Sequence, residues 1–324
     1  MSDCENIIKV NGLSKAYSRE KPPVYAVYHA EFAIRKGETL GLVGESGCGK
    51  STLGRLLLRL EKPTKGTICF KNQDITDFSF GQMQKIRSSM QMIFQGSSNA
   101  FNPYYTVRQI IGEPLQNYHK MHGAEQEQCI VSMLERVGLD GSYLRRYSHE
   151  LSGGQRQRVG IARALILEPE FVVCDEAVSS IDFALKKQIL KLLVDLKKKN
   201  GTTYLFISHD MAAVKAVCDR IMVMYLGNIL EILPSADAET LHPYTQALMA
   251  ATLEPDPTVR REKKVLFKED GAQTIPKAGC VFQSRCLYAR DKCTCQRPEL
   301  EEVSDGHFVA CHYMKKKKDT EEGK

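Results

Sequence analysis

The sequence predicts an α/β protein built around a mainly parallel sheet, and three observations carry that prediction. Short apolar runs of strand length alternate with amphipathic helical stretches. One such run, Thr39-Leu40-Gly41-Leu42-Val43, leads straight into a glycine-rich loop that opens a helix. Another, Phe171-Val172-Val173-Cys174, ends in two adjacent carboxylates, Asp175 and Glu176.

Taken in order, Ile7 to Val10 and Ala30 to Ile34 cluster apolar residues as strands, and Arg35-Lys36-Gly37-Glu38 is a polar turn. From Gly49 to Leu60, leucines 53, 56, 57 and 60 recur at helical spacing, and the helix is expected to stop before Pro63. Residues 95–160 are polar and read as mostly helical. Leu185, Ile189, Leu192, Leu193 and Leu196 share one helix face, Lys186, Lys187, Lys191 and Lys197 lie largely off it, and Asn200-Gly201 supplies the stop. Tyr204-Leu205-Phe206-Ile207 is a buried type of strand, and Ile221 to Ile232 folds back around Gly227-Asn228 as a hairpin. After about Pro234 the chain turns rich in proline, charge and then cysteine, which marks a domain boundary.

With 324 residues, 43% of them hydrophobic and 26% charged, the chain has room for one large domain and an appendage. The run Ile221 to Leu230 holds ten uncharged residues, about half of a membrane span. The N-terminus, Met1-Ser2-Asp3-Cys4-Glu5, lacks the apolar core of a secretory signal. A cytosolic protein that meets a membrane only through a partner is the expectation. The net charge of +6 is mild, and part of it sits in Lys315 to Lys318, read as a solvated tail. No basic stripe carries interleaved aromatics, so nucleic acid is not an expected partner.

Residues Gly44-Glu45-Ser46-Gly47-Cys48-Gly49-Lys50-Ser51 fit the phosphate-binding pattern G-x-x-x-x-G-K-[ST]. Glycines let backbone N–H groups turn inward around phosphate oxygens, and the following helix aims its positive end at the same anion. Lys50 is expected to reach the β- and γ-phosphates, Ser51 to ligate Mg²⁺, and Thr52 to help hold the α-phosphate. Asp175 is expected to bind the hydration shell of the same Mg²⁺. Glu176 is the candidate base for the attacking water.

Leu151-Ser152-Gly153-Gly154-Gln155, opening a helix, is a second anion-binding N-terminus; a plain Ser152 helix cap explains it equally well as physics. With Arg156-Gln157-Arg158 and Ala162-Arg163-Ala164-Leu165 behind it, this stretch resembles the signature of ABC ATPases. That resemblance implies a P-loop ABC core over residues 1–235, with a mainly parallel sheet, an antiparallel β subdomain and a helical subdomain at about 95–160. It implies that two ATP molecules are sandwiched in a head-to-tail dimer, where residues 152–155 serve the nucleotide held by the partner's P-loop. Residue by residue, Gln95 in Met92-Ile93-Phe94-Gln95 matches the glutamine that senses Mg²⁺ and water. His209 matches the switch histidine at the γ-phosphate, and Asp182 the aspartate that communicates across the dimer. Tyr17 lies where the family places an aromatic against adenine, with Tyr25 and Tyr28 nearby. Three departures stand out: Ala177 for the usual proline, Ser180-Ile181 for Ala-Leu, and Gly96-Ser97 for Asp-Pro.

Cysteines 280, 286, 293 and 311 crowd into the C-terminal stretch, with Cys295 as an extra. Four soft thiolates suit either an iron–sulfur cluster or Zn²⁺, although the C-x₂-C hallmark of both is missing. The stretch from His242-Pro243-Tyr244-Thr245 to Ala310-Cys311-His312 resembles the extension of oligopeptide/dipeptide import ATPases. That resemblance implies a linker at 236–262, a Cys-rich extension at 263–313 that holds a [4Fe–4S] cluster in some members, and a tail at 314–324. It also implies an ATPase working peripherally at the cytoplasmic face of the cell membrane. Its partners would be a second ABC ATPase subunit, commonly a paralogue, two transmembrane permease subunits and, indirectly, an extracytoplasmic substrate-binding protein. Nickel import by a similar ATPase is the main rival to peptides. A soluble ABC ATPase acting on nucleic acid or ribosomes is a further alternative, against which stand the single cassette and the absence of a long coiled-coil insertion.

Overall fold

The computed structural model describes residues 5–17, 23–94, 101–178, 181–250, 276 and 278–313. Among these residues the strands form two sheets. Strands β1 (Asn6–Ala16), β2 (Tyr25–Arg35), β4 (Lys65–Phe70) and β5 (Gln73–Asp74) make an antiparallel sheet in the order β2-β1-β4-β5. The larger sheet centres on β3 (Thr39–Val43), which lies parallel between β8 (Thr203–Ile207) and β9 (Arg220–Tyr225). Beyond β8 come β7 (Phe171–Asp175) and then β6 (Met90–Ile93), both parallel.

On the other flank the sheet turns antiparallel. The hairpin around Gly227 sets β10 (Asn228–Leu233) against β9, as the sequence predicts. Strands β11 (Glu301–Ser304) and β12 (His307–Val309) then continue it, with Glu231 opposite Val309 and Ile232 opposite Phe308. The Cys-rich C-terminal segment therefore extends the core sheet.

Both faces of the parallel strands are covered, which explains their unbroken apolar runs. Phe171, Val173, Leu205 and Ile207 face α1 (Lys50–Leu57) and the antiparallel sheet. Val172, Cys174, Tyr204 and Phe206 face the opposite core, shared with α5 (Gly153–Leu165), α6 (Phe183–Asn200) and α7 (Met211–Val217). The same core reaches α3 (Val107–Pro114) and α4 (Gly123–Arg136), so the helical region of the middle packs on this side. A seven-residue helix, α2 (Phe80–Ile86), precedes β6 and is capped at Ser79. Helix α6 stops at Gly201 in the left-handed conformation, as read from the sequence.

Helix α1 ends at Leu57, one turn earlier than the leucine spacing predicts. Arg59 takes a positive φ of 51° and closes the helix in a Schellman motif, its N–H donating to the Leu56 carbonyl at 2.8 Å and the Leu60 N–H to the Arg55 carbonyl at 2.9 Å, while its Nε donates to the Ile75 carbonyl at 3.0 Å. Between residues 236 and 262, α8 (Pro243–Ala250) is helical, and the remainder from 251 lies outside the described residues, as does the tail at 314–324. A short α9 (Asp291–Cys295) closes the set.

Candidate functional site

The glycine-rich loop leaves the C-terminal end of β3 and is wedged between neighbouring backbones. A Cβ at Gly49 (φ 108°) would lie 1.9 Å from the Ala26 carbonyl oxygen, and one at Gly44 would lie 2.1 Å from that of Met224. Gly47 (φ 77°) faces open space instead, with nothing within 4 Å of such a Cβ. Two glycines are thus fixed by close packing and one by backbone conformation alone. Lys50 is buried at the start of α1 and its Nζ donates to the carbonyls of Gly44 and Glu45, both at 2.8 Å. Within the loop, the N–H of Cys48 donates to the carbonyl of Glu45 at 3.3 Å. Burial raises the Cys48 thiol above its ordinary range and the Lys50 ammonium opposes the shift, so this side chain is a packed thiol.

Ser51 Oγ donates to Asp175 Oδ1 at 2.9 Å, tying the loop to the tip of β7 across the intervening β8. Asp175 is 2% exposed, and burial raises its carboxyl above the usual carboxylate range, with the Ser51 hydrogen bond, Arg55 and Lys50 drawing it back. Glu176 has a positive φ of 47°, uncommon for a side-chain-bearing residue, and its N–H donates to the carbonyl of Ile207 at 3.0 Å. That turn carries its carboxylate to within 3.3 Å of His209 Nδ1, on the segment just past β8. Lys50, Ser51, Asp175, Glu176 and His209 therefore gather at the C-terminal edge of three parallel strands, where ligands bind in open α/β sheets.

Tyr17 stands beside this edge, exposed, with its hydroxyl 3.5 Å from Thr52 Oγ1 and hydrogen-bonded to Glu61. Burial, then the Glu61 hydrogen bond, raises its phenol above the ordinary value. Tyr25 and Tyr28 form a T-shaped pair with each other at 5.2 Å, and Arg297 lies over the Tyr28 ring.

Ser152-Gly153-Gly154-Gln155 lies elsewhere, at the exposed N-terminus of α5. Ser152 Oγ accepts from the Gln155 N–H at 3.3 Å, and Gln155 Oε1 accepts from the Ser152 N–H at 2.8 Å, a reciprocal capping box. Gln155 Nε2 donates to Tyr143 Oη at 3.0 Å. The helix-cap reading is thus realised, at a helix end where Ser152 and Gly153 are exposed. Asp182 caps α6, accepting from Leu185 N–H at 3.1 Å. Gln95, Gly96, Ser97 and Ser180 lie outside the described residues. Ala177, in place of proline, is buried, and its carbonyl accepts from Gln157 at 3.0 Å.

Sequence reasoning missed several residues around the site. Gln157, on α5, also donates to the carbonyl of Phe94 at 3.3 Å, so one buried amide joins the helical region to the ends of β6 and β7. Its signal was a polar residue on the apolar face of the signature helix. Glu231, fully buried on β10, accepts from the N–H groups of Leu241 and His242 and pairs with His307 Nε2 at 2.8 Å. Tyr244 and Arg285 reach the loop from far along the chain, and no local spacing announces them.

In the C-terminal region, Cys280 and Cys293 are buried, Cys286 and Cys311 are partly so, and Cys295 is exposed. The Cys280 N–H donates to the Cys293 carbonyl at 2.8 Å. Burial pushes the Cys280 thiol up to about 11, and the sulfurs of Cys311, Cys293 and Cys286 add to the rise. Among the described residues, however, no group of three or more His, Cys, Asp or Glu side chains is arranged to hold a metal ion. The donor set suits a soft metal; its present spacing does not assemble one.

Residues 27–179 match the family model described as ABC transporter, and residues 231–293 match the oligopeptide/dipeptide transporter C-terminal region. The oligopeptide transport ATP-binding protein AppF of Bacillus subtilis is 45% identical, over 92% of this chain and 92% of its own length. A putative peptide import ATP-binding protein of Brucella ovis is 44% identical, over 94% and 97%. Among solved structures, an ATP-binding cassette in a dimeric post-hydrolysis state with ADP and Pi superposes with a TM-score of 0.65. It is 28% identical, over 68% of this chain and 96% of that one. The cbiO1 subunit of the Clostridium perfringens cbiONQ transporter gives 0.62 at 31% identity, over 71% and 89%.

Proposed function

The chain belongs to the ABC transporter ATP-binding proteins, and from that membership we propose that it is the ATP-hydrolysing subunit of a membrane importer of short peptides. The observation that carries the ATPase reading is the joining of phosphate loop to carboxylate strand by Ser51 and Asp175 at 2.9 Å, with Glu176 and His209 paired beside them. The peptide reading rests on the C-terminal region and on relatives of near-full length whose names specify peptide transport.

Each residue has a role that its surroundings support. Lys50 exchanges the Gly44 and Glu45 carbonyls for phosphate oxygens, a charge-assisted replacement of two neutral acceptors. The hydroxyl of Ser51 and the carboxylate of Asp175 are adjacent hard oxygen donors, which suits Mg²⁺. Mg²⁺ held there would draw negative charge off the β- and γ-phosphates. Glu176 takes the proton of the attacking water, and His209 orients its carboxylate. Tyr17 offers its ring to adenine, and Thr52 its hydroxyl to the α-phosphate. Gln95 couples the site to the helical region. Residues 152–155 complete the site of a second ATPase subunit, and Asp182 lies at that dimer contact.

Among the described residues no helix is long and apolar enough to cross a membrane. The names of the near-full-length relatives support a peripheral place for the subunit at the cytoplasmic face, on permease partners fed by an external binding protein. The thiols of Cys280, Cys286, Cys293 and Cys311 carry a separate proposal, a [4Fe–4S] cluster with Zn²⁺ as the rival. Iron near four per chain in anaerobically prepared protein supports the cluster, and one zinc in colourless protein overturns it. The transport reading is tested by purifying the tagged chain from membranes with its partners and reconstituting the complex. ATP-dependent uptake of labelled peptide is expected; uptake of nickel but not peptide would contradict it.

A further inference from the structure

Glu45 forms the outer wall of the phosphate loop, and two residues from the C-terminal region hold it. Its backbone N–H donates to Tyr244 Oη at 3.0 Å. Its carboxylate oxygens lie 2.9 and 3.1 Å from one guanidinium nitrogen of Arg285. Arg285 is itself 7% exposed. The same nitrogen is 3.4 Å from Tyr225 Oη, and the guanidinium sits 5.8 and 5.9 Å from the rings of Tyr225 and Phe282. Tyr225, Tyr244 and Phe282 pack on one another with centroids 4.7 to 5.4 Å apart, so the ion pair stands in an aromatic wall. A surface ion pair is worth little, but this arginine is desolvated and one of its nitrogens serves both carboxylate oxygens.

The pattern of the loop does not call for a carboxylate at its second position. An uncompensated anion there would repel a polyphosphate a few ångströms away. Arg285 cancels that charge. The backbone of Glu45 meanwhile is occupied on both sides, because its N–H is taken by Tyr244 and its carbonyl accepts from Lys50 and from the Cys48 N–H. Arg285 in turn lies in the turn bounded by Cys280 and Cys286, which closes through N–H bonds from Arg285 and Cys286 to the Phe282 carbonyl at 3.1 and 3.0 Å. A continuous set of contacts thus runs from the cysteine turn to the phosphate-binding lysine.

We infer that Arg285 and Tyr244 are positioning residues for nucleotide binding: they pin and neutralise Glu45, and through it the C-terminal region sets the affinity of the phosphate loop for ATP. The inference rests on the reading of residues 44–51 as an ATP site and adds the element that tunes it.

The test uses the full-length protein assembled with its partners, with Mg-ATP affinity, ATPase KM and kcat, and thermal melting measured on each variant. For Arg285→Gln, ATP affinity should fall about 10-fold, a size usual for a displaced binding element, and KM should rise in step while kcat stays within about twofold. Arg285→Lys should recover part of the loss, because charge returns without the planar guanidinium beside the Tyr225 and Phe282 rings. Adding Glu45→Gln to Arg285→Gln should also recover part of it, since the carboxylate that Arg285 neutralises is gone. Unchanged affinity in Arg285→Gln, or losses that simply add in the double variant, or a fall in kcat at constant KM, would each overturn the inference. If Arg285→Gln does not fold, Tyr244→Phe removes only the hydroxyl and should still raise KM by a few-fold; no rise would count against the proposal. Wild-type protein that bound no ATP would instead remove the nucleotide reading itself.

Discussion

The strand-tip edge and the C-terminal region reach the same loop by opposite means. At the edge, Asp175, Glu176 and His209 sit at or just past the ends of adjacent parallel strands, and Ser51 reaches Asp175 from the start of α1, so the sheet and the phosphate loop together set their spacing. The C-terminal region comes in from 240 residues away in sequence and grips Glu45 with one arginine, on an aromatic wall. The control proposed for Arg285 and Tyr244 rests instead on contacts between segments distant in the chain.

The contrast can be sharpened by disturbing each region in turn. The largest effect is expected at the edge, from Gly49→Ala, whose Cβ would be driven to 1.9 Å from the Ala26 carbonyl. ATP binding should weaken by about 100-fold or more in equilibrium titration, with several kcal/mol of stability lost. Gly47→Ala makes the comparison quantitative: nothing crowds its Cβ, so only the left-handed backbone cost of about 1–2 kcal/mol applies. Equal damage from both would show that packing against β2 and β9 does not shape the loop. Next comes the seam between core and extension. Glu231→Gln turns a buried acceptor facing two N–H groups and His307 into a partial donor, at a cost of about 1–3 kcal/mol by chemical denaturation. The loss of amide protection should concentrate at β12 and around Leu241; a uniform loss would mean the extension is not a separable layer. The smallest effect is Ser152→Ala, which removes one half of a capping box for about 1 kcal/mol of stability. Its effect on ATPase activity should appear only in the assembled dimer.

How much of this could be read beforehand follows the same division. The phosphate loop, the Asp175-Glu176 pair and His209 are legible because each is a contiguous motif at the end of an apolar run. The hairpin at Gly227 and the stop at Gly201 are legible for the same local reason. The early end of α1 is not, since the left-handed position that closes it is filled by Arg59 rather than by the glycine that would announce it. The hairpin of β4 and β5 is not legible either, because its short, mixed-polarity strands are specified by the pairing of β4 with β1 and of β5 with β4 rather than by their own pattern. The C-terminal cysteines were conspicuous, yet the residue between them that touches the loop, Arg285, looks like any surface cation until the fold brings it to Glu45.

The central claim, that the strand-tip edge is an ATP-hydrolysing site, is tested most directly by Glu176→Gln. The side chain keeps its size and its place beside His209, while the base is lost. In the assembled complex, ATP affinity should stay within about twofold of wild type and steady-state hydrolysis should fall by about 100-fold or more. Hydrolysis at the wild-type rate in that variant would contradict the account.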